Sequence, residues 1–357
     1  MSPLNPKKIL VVKLKHIGDV LLTVPAVRAL HEAFPGSEIT AFVNAGTEEM
    51  LAGLPYVHDM VVYDRRMKRL GWIKRCFKEI TLMRAIRRRG FDLAVDFSGG
   101  DRGALCVLLS GAAVRCGYAK TGKGMFLRDR CFTHVVPPDF SKHTVDVHLD
   151  LVRALGIEGK SRTLDIALSD ADRERVRDVL RAKGIGERER YVVVHPTSRW
   201  FFKCWRKDGF AATADHIAVK HGARVIFTSA PDDREREMVQ DILRLSSKPH
   251  VDVGGMFSLK QLAALIKGAA LFIGIDSAPM HMAQAVRTPV IVLFGPSGVH
   301  NWGPRGEHDT VICRDWECVP CGKDGCQGTK KSRCLDDITP QEVMKEVDHF
   351  FGQRRDG

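Results

Sequence analysis

Three observations predict an α/β fold. Short apolar runs suited to buried strands alternate with helical patterns along all 357 residues. The run Ile9-Leu10-Val11-Val12 leads through a Gly-containing turn, 13–19, into a helical pattern with Leu21, Leu22, Val24, Val27 and Leu30 on one face. Together these make half of a nucleotide-type βαβ unit. A strand, a small-residue turn and a helix start then recur at 271–281.

In chain order, the first half predicts strands at 9–12, 39–43, 60–63, 93–97 and 114–118. The helices between and after them fall at 20–34, 47–51, 68–89, 102–109 and 143–155, the last closed by Gly156. Residues 158–168 read as an extended linker. Ser169 and Asp172 form a capping-type pair that opens a helix to 182. The Asp170-Ala171-Asp172 triplet is therefore assigned to that helix start rather than to a metal-binding Asp-x-Asp motif. The second half predicts strands at 191–195, 224–228, 271–275 and 290–294, with helices at 209–220, 232–245, 259–267, 279–286 and 340–350. The expected domains are 1–168 and 169–357. The length allows two separate cores, although composition alone also permits one large sheet.

The hydrophobic fraction, 44%, is that of an ordinary globular chain. No stretch approaches the roughly 20 apolar residues that span a bilayer. Residues 1–8 lack an apolar h-region and a cleavage site, so a cytoplasmic protein is expected. The net charge is +12, and it is concentrated. Between Arg65 and Arg89 there are eleven Lys or Arg residues and one acid, Glu79, with Ile73, Phe77, Ile80, Met83 and Ile86 at helical spacing. Such a basic amphipathic helix suits an anionic membrane surface or an anionic ligand. The plainer reading is a solvated helix whose apolar stripe packs on its own domain. No helix-turn-helix, RNP-type or zinc-finger pattern supports a nucleic-acid partner.

Loops at the carboxyl ends of strands are where open α/β sheets place ligands. The first such loop carries Asp19 at a helix start, either as a functional carboxylate or as a helix-terminal one favoured by capping and the macrodipole. In the second half, His195-Pro196-Thr197-Ser198, Asp276-Ser277-Ala278-Pro279-Met280-His281 and Gly295-Pro296-Ser297 all follow strands. Pro279 suits a first helical turn, where N–H groups can hold an anion. Together these turns suggest a nucleotide-diphosphate site.

The constellation resembles glycosyltransferase family 9, the bacterial lipopolysaccharide heptosyltransferases. The matching residues are Lys13…Gly18-Asp19…Leu21-Leu22-Thr23-Val24-Pro25, then His195-Pro196-Thr197-Ser198…Lys203-Cys204-Trp205, then Asp276-Ser277-Ala278-Pro279-Met280-His281 with Phe294-Gly295-Pro296. They span nearly the whole chain in order. Residues 63–71 look most like the heptosyltransferase III branch. Arg206 departs from the pattern, standing where the family usually has Pro.

The resemblance implies a GT-B fold, two Rossmann-like domains facing across a cleft, with an N-terminal acceptor domain and a C-terminal nucleotide-sugar domain. It implies an inverting transfer of heptose from ADP-heptose to the lipopolysaccharide inner core, with Asp19 as general base and no metal required for catalysis. Lys203 matches the lysine that contacts the donor phosphate. Thr197, Ser198 and the 276–280 turn are expected around the diphosphate. Asp276 is expected to orient that turn or meet the sugar, and His281 to bond the turn or the donor. Glu235 is expected near the ribose, against the alternative that Asp232 and Asp233 merely cap a helix. Gly18, Arg65, Arg66, Lys68 and Arg69 are the candidate acceptor contacts, because inner-core lipopolysaccharide is anionic and membrane-anchored. A different nucleotide sugar or acceptor on the same fold is an alternative. So is a non-catalytic nucleotide-sugar or nucleic-acid binding protein, but simple phosphate binding gains nothing from a carboxylate at Asp19.

Ten cysteines are present. Cys76, Cys106, Cys116, Cys131 and Cys204 read as scattered thiols. Cys313, Cys318, Cys321, Cys326 and Cys334 cluster late, between 313 and 334, and Cys318 and Cys321 have C-x₂-C spacing. A structural Zn²⁺ on Cys318, Cys321, Cys326 and Cys334 is the leading expectation, against disulfides or free thiols.

Overall fold

The computed structural model describes residues 4–69 and 71–353, with the side chains of Lys68 and Arg69 also outside the described residues. The chain divides into two compact units between Ala167 and Leu168.

In the first unit, β1 (Lys8–Lys13), β2 (Glu38–Asn44), β3 (Asp59–Tyr63), β4 (Leu93–Asp96), β5 (Val114–Tyr118) and β6 (His134–Val136) form a parallel sheet in the order β3-β2-β1-β4-β5-β6. Its helices are α1 (Ile17–Leu21), α2 (Val24–Ala33), α3 (Trp72–Arg88), α4 (Asp101–Leu109) and α5 (Thr144–Arg153). In the second unit, β7 (Tyr191–His195), β8 (Arg224–Phe227), β9 (Val251–Asp252), β10 (Leu271–Ile275), β11 (Val290–Leu293) and β12 (Thr310–Ile312) are again parallel, in the order β12-β11-β10-β7-β8-β9. Its helices are α6 (Asp170–Ala182), α7 (Lys207–His221), α8 (Asp233–Leu245), α9 (Leu259–Gly268), α10 (Ala278–Ala285), α11 (Val299–Trp302), α12 (Arg333–Asp336) and α13 (Pro340–Gln353).

Each sheet has the doubly wound Rossmann order. The chain direction across the sheet reverses between β1 and β4 in one unit and between β7 and β10 in the other, and the carboxyl ends beside those switch points are the natural ligand positions. The central strands are buried on both faces, as parallel strands covered by helices must be. Ile9, Leu10, Val11 and Val12 are fully covered in β1, as are Leu271, Phe272, Ile273 and Ile275 in β10.

The differences from the sequence reading have local causes. The helix expected at 20–34 is two helices, α1 and α2. Pro25 lies in the first turn of α2, where it lacks an N–H and its ring opposes the carbonyl four residues back. The segment 47–51 is a 3-10 turn, Glu48–Met50. The helix expected at 68–89 is a 3-10 turn, Arg65–Arg69, followed by α3, which Gly71 caps at its N-terminus. Strands β6, β9 and β12 have three, two and three residues, too short to show a period. At the start of α6, the Asp172 amide donates to Ser169 Oγ at 3.1 Å and the Ser169 amide donates to Asp172 Oδ2 at 2.9 Å. Asp172 there is a capping residue.

Candidate active site

At the first switch point, β1 ends on Lys13 and the chain enters α1 at Ile17. Asp19 is the third residue of α1, and its Oδ2 accepts from the His16 amide at 3.2 Å. Its Oδ1 lies 4.0 Å from Lys13 Nζ, and the side chain keeps 21% of its surface exposed. Asp19 thus does cap its helix, as the plainer reading held. The capping uses one oxygen and leaves the other facing a cation.

Lys13 is buried, and that burial determines its behaviour. Its ammonium donates to the Phe97 carbonyl at 2.9 Å and to His148 Nε2 at 3.0 Å. The His148 ring proton is thereby placed on Nδ1, 2.7 Å from the Tyr118 oxygen, and the Tyr118 hydroxyl donates to the Val147 carbonyl. Burial pushes the Lys13 amine down to about 8, against the pull of Asp19. Burial also holds His148 well below the usual imidazole range, with Lys13 adding to the effect, so His148 is neutral.

Asp96, at the end of β4, is buried as well. Burial raises its carboxyl to about 6, against the hydrogen bonds of Ser98 and the charge of Lys13. A Cβ on Gly103 would come within 2.2 Å of Asp96 Oδ1, so only glycine lets α4 approach here. Of this network, the family pattern contains Lys13 and Asp19. Asp96, Tyr118 and His148 carry no sequence signal of their own, because isolated residues on three separate elements show no spacing.

At the second switch point, β7 ends at His195 and β10 at Ile275. The Thr197 hydroxyl donates to Glu235 Oε2 at 2.7 Å, and the Ala230 amide donates to the same oxygen at 3.2 Å. His195 Nδ1 is 2.9 Å from Thr228 Oγ1, and burial lowers this imidazole to about 4. His195, Thr197, Thr228 and Glu235, from three separate segments, are therefore tied together, with Thr197 Oγ1 lying 3.5 Å from His195 Nε2. Glu235 is distinct from the capping residue, because Asp232 accepts from the Arg234 and Glu235 amides at the start of α8. Thr197 is fully covered and its hydroxyl is committed to Glu235. Its side chain supports the acid rather than offering a free donor. Ser198 Oγ accepts from the Trp200 amide.

Lys203 Nζ pairs with Asp276 Oδ2 at 2.5 Å. The turn then enters α10 with Ser277 as an extended N-cap and Pro279 in the first turn. The Ser277 hydroxyl has no partner among the described residues. A carboxylate pointing at a diphosphate would repel it. Pairing Asp276 with Lys203 cancels that charge and fixes the ammonium beside a helix N-terminus, whose first N–H groups lack intrahelical acceptors. Met280 and His281 are buried in α10, and Ala278 is its first residue.

The acceptor candidates are more dispersed. Gly18 lies within α1, its carbonyl accepting from the Leu22 amide. Arg65 is exposed, and Arg66 is exposed and bonded to Asp64. Lys68 and Arg69 lie on the same 3-10 turn, their side chains outside the described residues. All ten cysteines are free. Cys334 is buried, and burial together with the neighbouring Cys326 and Cys321 pushes its thiol up to about 11. The grouping of metal-capable atoms that comes within 4.8 Å among the described residues is elsewhere, at His216, His221 and Asp348. There Lys220 bonds the second Asp348 oxygen, so the carboxylate serves as an anionic hub that joins α7 to α13.

Residues 80–331 match the model of glycosyltransferase family 9 (heptosyltransferase). The chain is 31% identical over 288 residues to lipopolysaccharide heptosyltransferase 3 of Escherichia coli, covering 80% of this chain and 83% of that one. It is 26% identical over 311 residues to the lipopolysaccharide core heptosyltransferase OpsX of Haemophilus influenzae, covering 86% and 84%. Among solved structures, a family 9 glycosyl transferase from Veillonella parvula superposes with a TM-score of 0.84 at 23% identity, covering 98% of this chain and 99% of the other. The E. coli ADP-heptose lps heptosyltransferase II superposes with a TM-score of 0.77 at 20% identity, covering 98% and 99%. The fold is accordingly GT-B, with two Rossmann-like domains. With the duplicated switch points, the matched family model and these relatives in agreement, the chain belongs to glycosyltransferase family 9, the heptosyltransferase family.

Proposed function

We propose that this enzyme transfers heptose from ADP-heptose to an inner-core sugar of lipopolysaccharide with inversion, using Asp19 as general base. The observation that carries the assignment is the setting of Asp19. One carboxylate oxygen is held by the His16 amide, the other faces Lys13, and the group remains partly open to solvent. A base needs that combination of fixed orientation and access.

In the proposed step, an acceptor hydroxyl oxygen attacks the anomeric carbon. Its proton passes to Asp19, and the bond from that carbon to the diphosphate oxygen breaks with its electron pair leaving on the diphosphate. Lys203 and the first turn of α10 meet the growing negative charge, so the proposal calls on no catalytic metal. Glu235, held by Thr197 and the Ala230 amide, is the proposed acceptor for the ribose hydroxyls. Arg65, Arg66, Lys68 and Arg69 are the proposed contacts for the acceptor's anionic groups, and the basic segment is proposed to bring the enzyme to the anionic membrane that carries the acceptor. We also propose that Cys318, Cys321, Cys326 and Cys334 hold a structural Zn²⁺. In support, the loop around them has little apolar content of its own to hold it folded.

The test is product analysis by NMR with a panel of ADP-, UDP- and GDP-sugars. Transfer from ADP-heptose with an inverted anomeric centre is the expected outcome. Preference for another nucleotide, or retention of configuration, would reject the proposal.

A further inference from the structure

Helix α3 presents an apolar face that its own unit leaves uncovered. Trp72, Ile73, Phe77 and Ile80 keep 75%, 67%, 70% and 50% of their surface exposed. At 3.6 residues per turn these four, with the exposed Cys76, fall within an arc of about 140°. The side of α3 that packs inward is centred on Glu79, Leu82 and the buried Ile86, and the half-buried Met83 sits where the two sides meet. Lys74 and Arg88 flank the apolar arc, Arg84 and Arg87 continue it toward the C-terminal end of the helix, and all four are exposed. The helix has one acid, Glu79, and that carboxylate is neutralised on the inward side by Arg102 and the Tyr63 hydroxyl. The sequence alone placed Ile73, Phe77, Ile80, Met83 and Ile86 on a single stripe. The structure divides that stripe, with Ile86 turned inward, Met83 at the boundary and the first three outward.

We infer that α3 is an interfacial docking helix. It lies on an anionic bilayer with Trp72, Ile73, Phe77 and Ile80 inserted among the acyl chains and the flanking Lys and Arg residues at the headgroups. An apolar partner protein would explain the exposed ridge but not the unopposed positive charge around it. An anionic surface with an apolar interior satisfies both at once. A Trp at the helix start suits the interface, where its ring is wet at one end and apolar at the other. The inference deepens the membrane contact proposed above and rests on that contact, but not on the transfer chemistry.

The experiment measures sedimentation with vesicles of phosphatidylglycerol and phosphatidylethanolamine, and with phosphatidylcholine vesicles as the uncharged control. Wild-type protein should bind the anionic vesicles. Ile73→Ser with Phe77→Ser should weaken binding at least about tenfold, because each side chain loses most of its buried apolar area. Lys74→Glu and Arg84→Glu should each weaken it about fivefold or more. Trp72 emission should shift to the blue on binding, and Trp72→Phe should abolish that shift. Two results would overturn the inference. One is anionic-vesicle binding that the Ile73→Ser, Phe77→Ser protein retains in full. The other is a wild-type dimer in analytical ultracentrifugation that the same substitutions dissociate. ADP titration calorimetry on every variant separates this question from the donor assignment. Unchanged ADP affinity with lost vesicle binding isolates the docking face, whereas absent ADP binding in wild type would sink the donor reading and leave the docking inference standing.

Discussion

Lys13 and Asp19 stand at opposite ends of one turn, and protons couple them. Lys13 loses its proton near pH 8 because it is buried, and a neutral amine no longer fixes by charge the Asp19 oxygen that faces it. Activity should therefore fall as pH rises through about 8, and Lys13→Met should give a lower but flat profile there. Stability should move the other way. The folded amine titrates near 8 and the unfolded one at its usual 10.5, so between those values the unfolded chain binds more protons. Stability gains in that window as pH rises. Denaturant melts and rate profiles on the same samples would show the opposed slopes, and parallel slopes would remove Lys13 from the argument. Lys203 allows an independent check. Lys203→Ala should weaken ADP binding by about 1.5–3 kcal/mol, the range for a hydrogen bond to a charged group. It also leaves Asp276 unpaired beside the proposed diphosphate position. Calorimetry showing unchanged affinity would place Lys203 outside the donor site.

At the scale of elements, the sequence reading is most reliable where a pattern is long and weakest where an element is short or its partner distant. The β1 and β10 strands were legible because four or five consecutive apolar residues admit few other readings. The Ser169 and Asp172 cap was legible because its two members are three residues apart. The break between α1 and α2 was also available, in Pro25, but the continuous apolar face from Leu21 to Leu30 masked it. Edge strands β6, β9 and β12 were not legible, since two or three residues carry no period. The outward turn of Trp72, Ile73, Phe77 and Ile80 was beyond reach because periodicity identifies a face without saying what covers it. The late cysteines pose the same problem, since spacing gives candidate ligands but not their geometry. If Cys318, Cys321, Cys326 and Cys334 bind Zn²⁺, purified protein should carry close to one zinc per chain, and chelation should loosen the 313–334 loop before either domain melts. Elemental analysis free of metal, with these thiols readily titrated in native protein, would dismiss the site.

Over the whole molecule, the two units repeat one sheet order, and each places its candidate groups at the carboxyl end of a strand beside the switch point. That duplication explains why the family motifs, 13–25 in one half and 195–205 and 276–281 in the other, were readable from sequence. They occupy the turns where such a fold gathers ligands. The supporting residues were not readable. His148 and Tyr118 around Lys13, and Thr228 behind His195, join the site only through the fold. In the proposed reaction the first unit supplies the base and the second meets the leaving-group charge, so everything turns on Asp19 removing the acceptor proton. The most direct measurement is the single-turnover rate of heptose transfer from ADP-heptose by Asp19→Asn, an isosteric change that retains the fold and removes the basic oxygen. With Asp19 as the base, the rate should be about 10² to 10⁴ lower than wild type, with ADP affinity nearly unchanged. Transfer at close to the wild-type rate would contradict it.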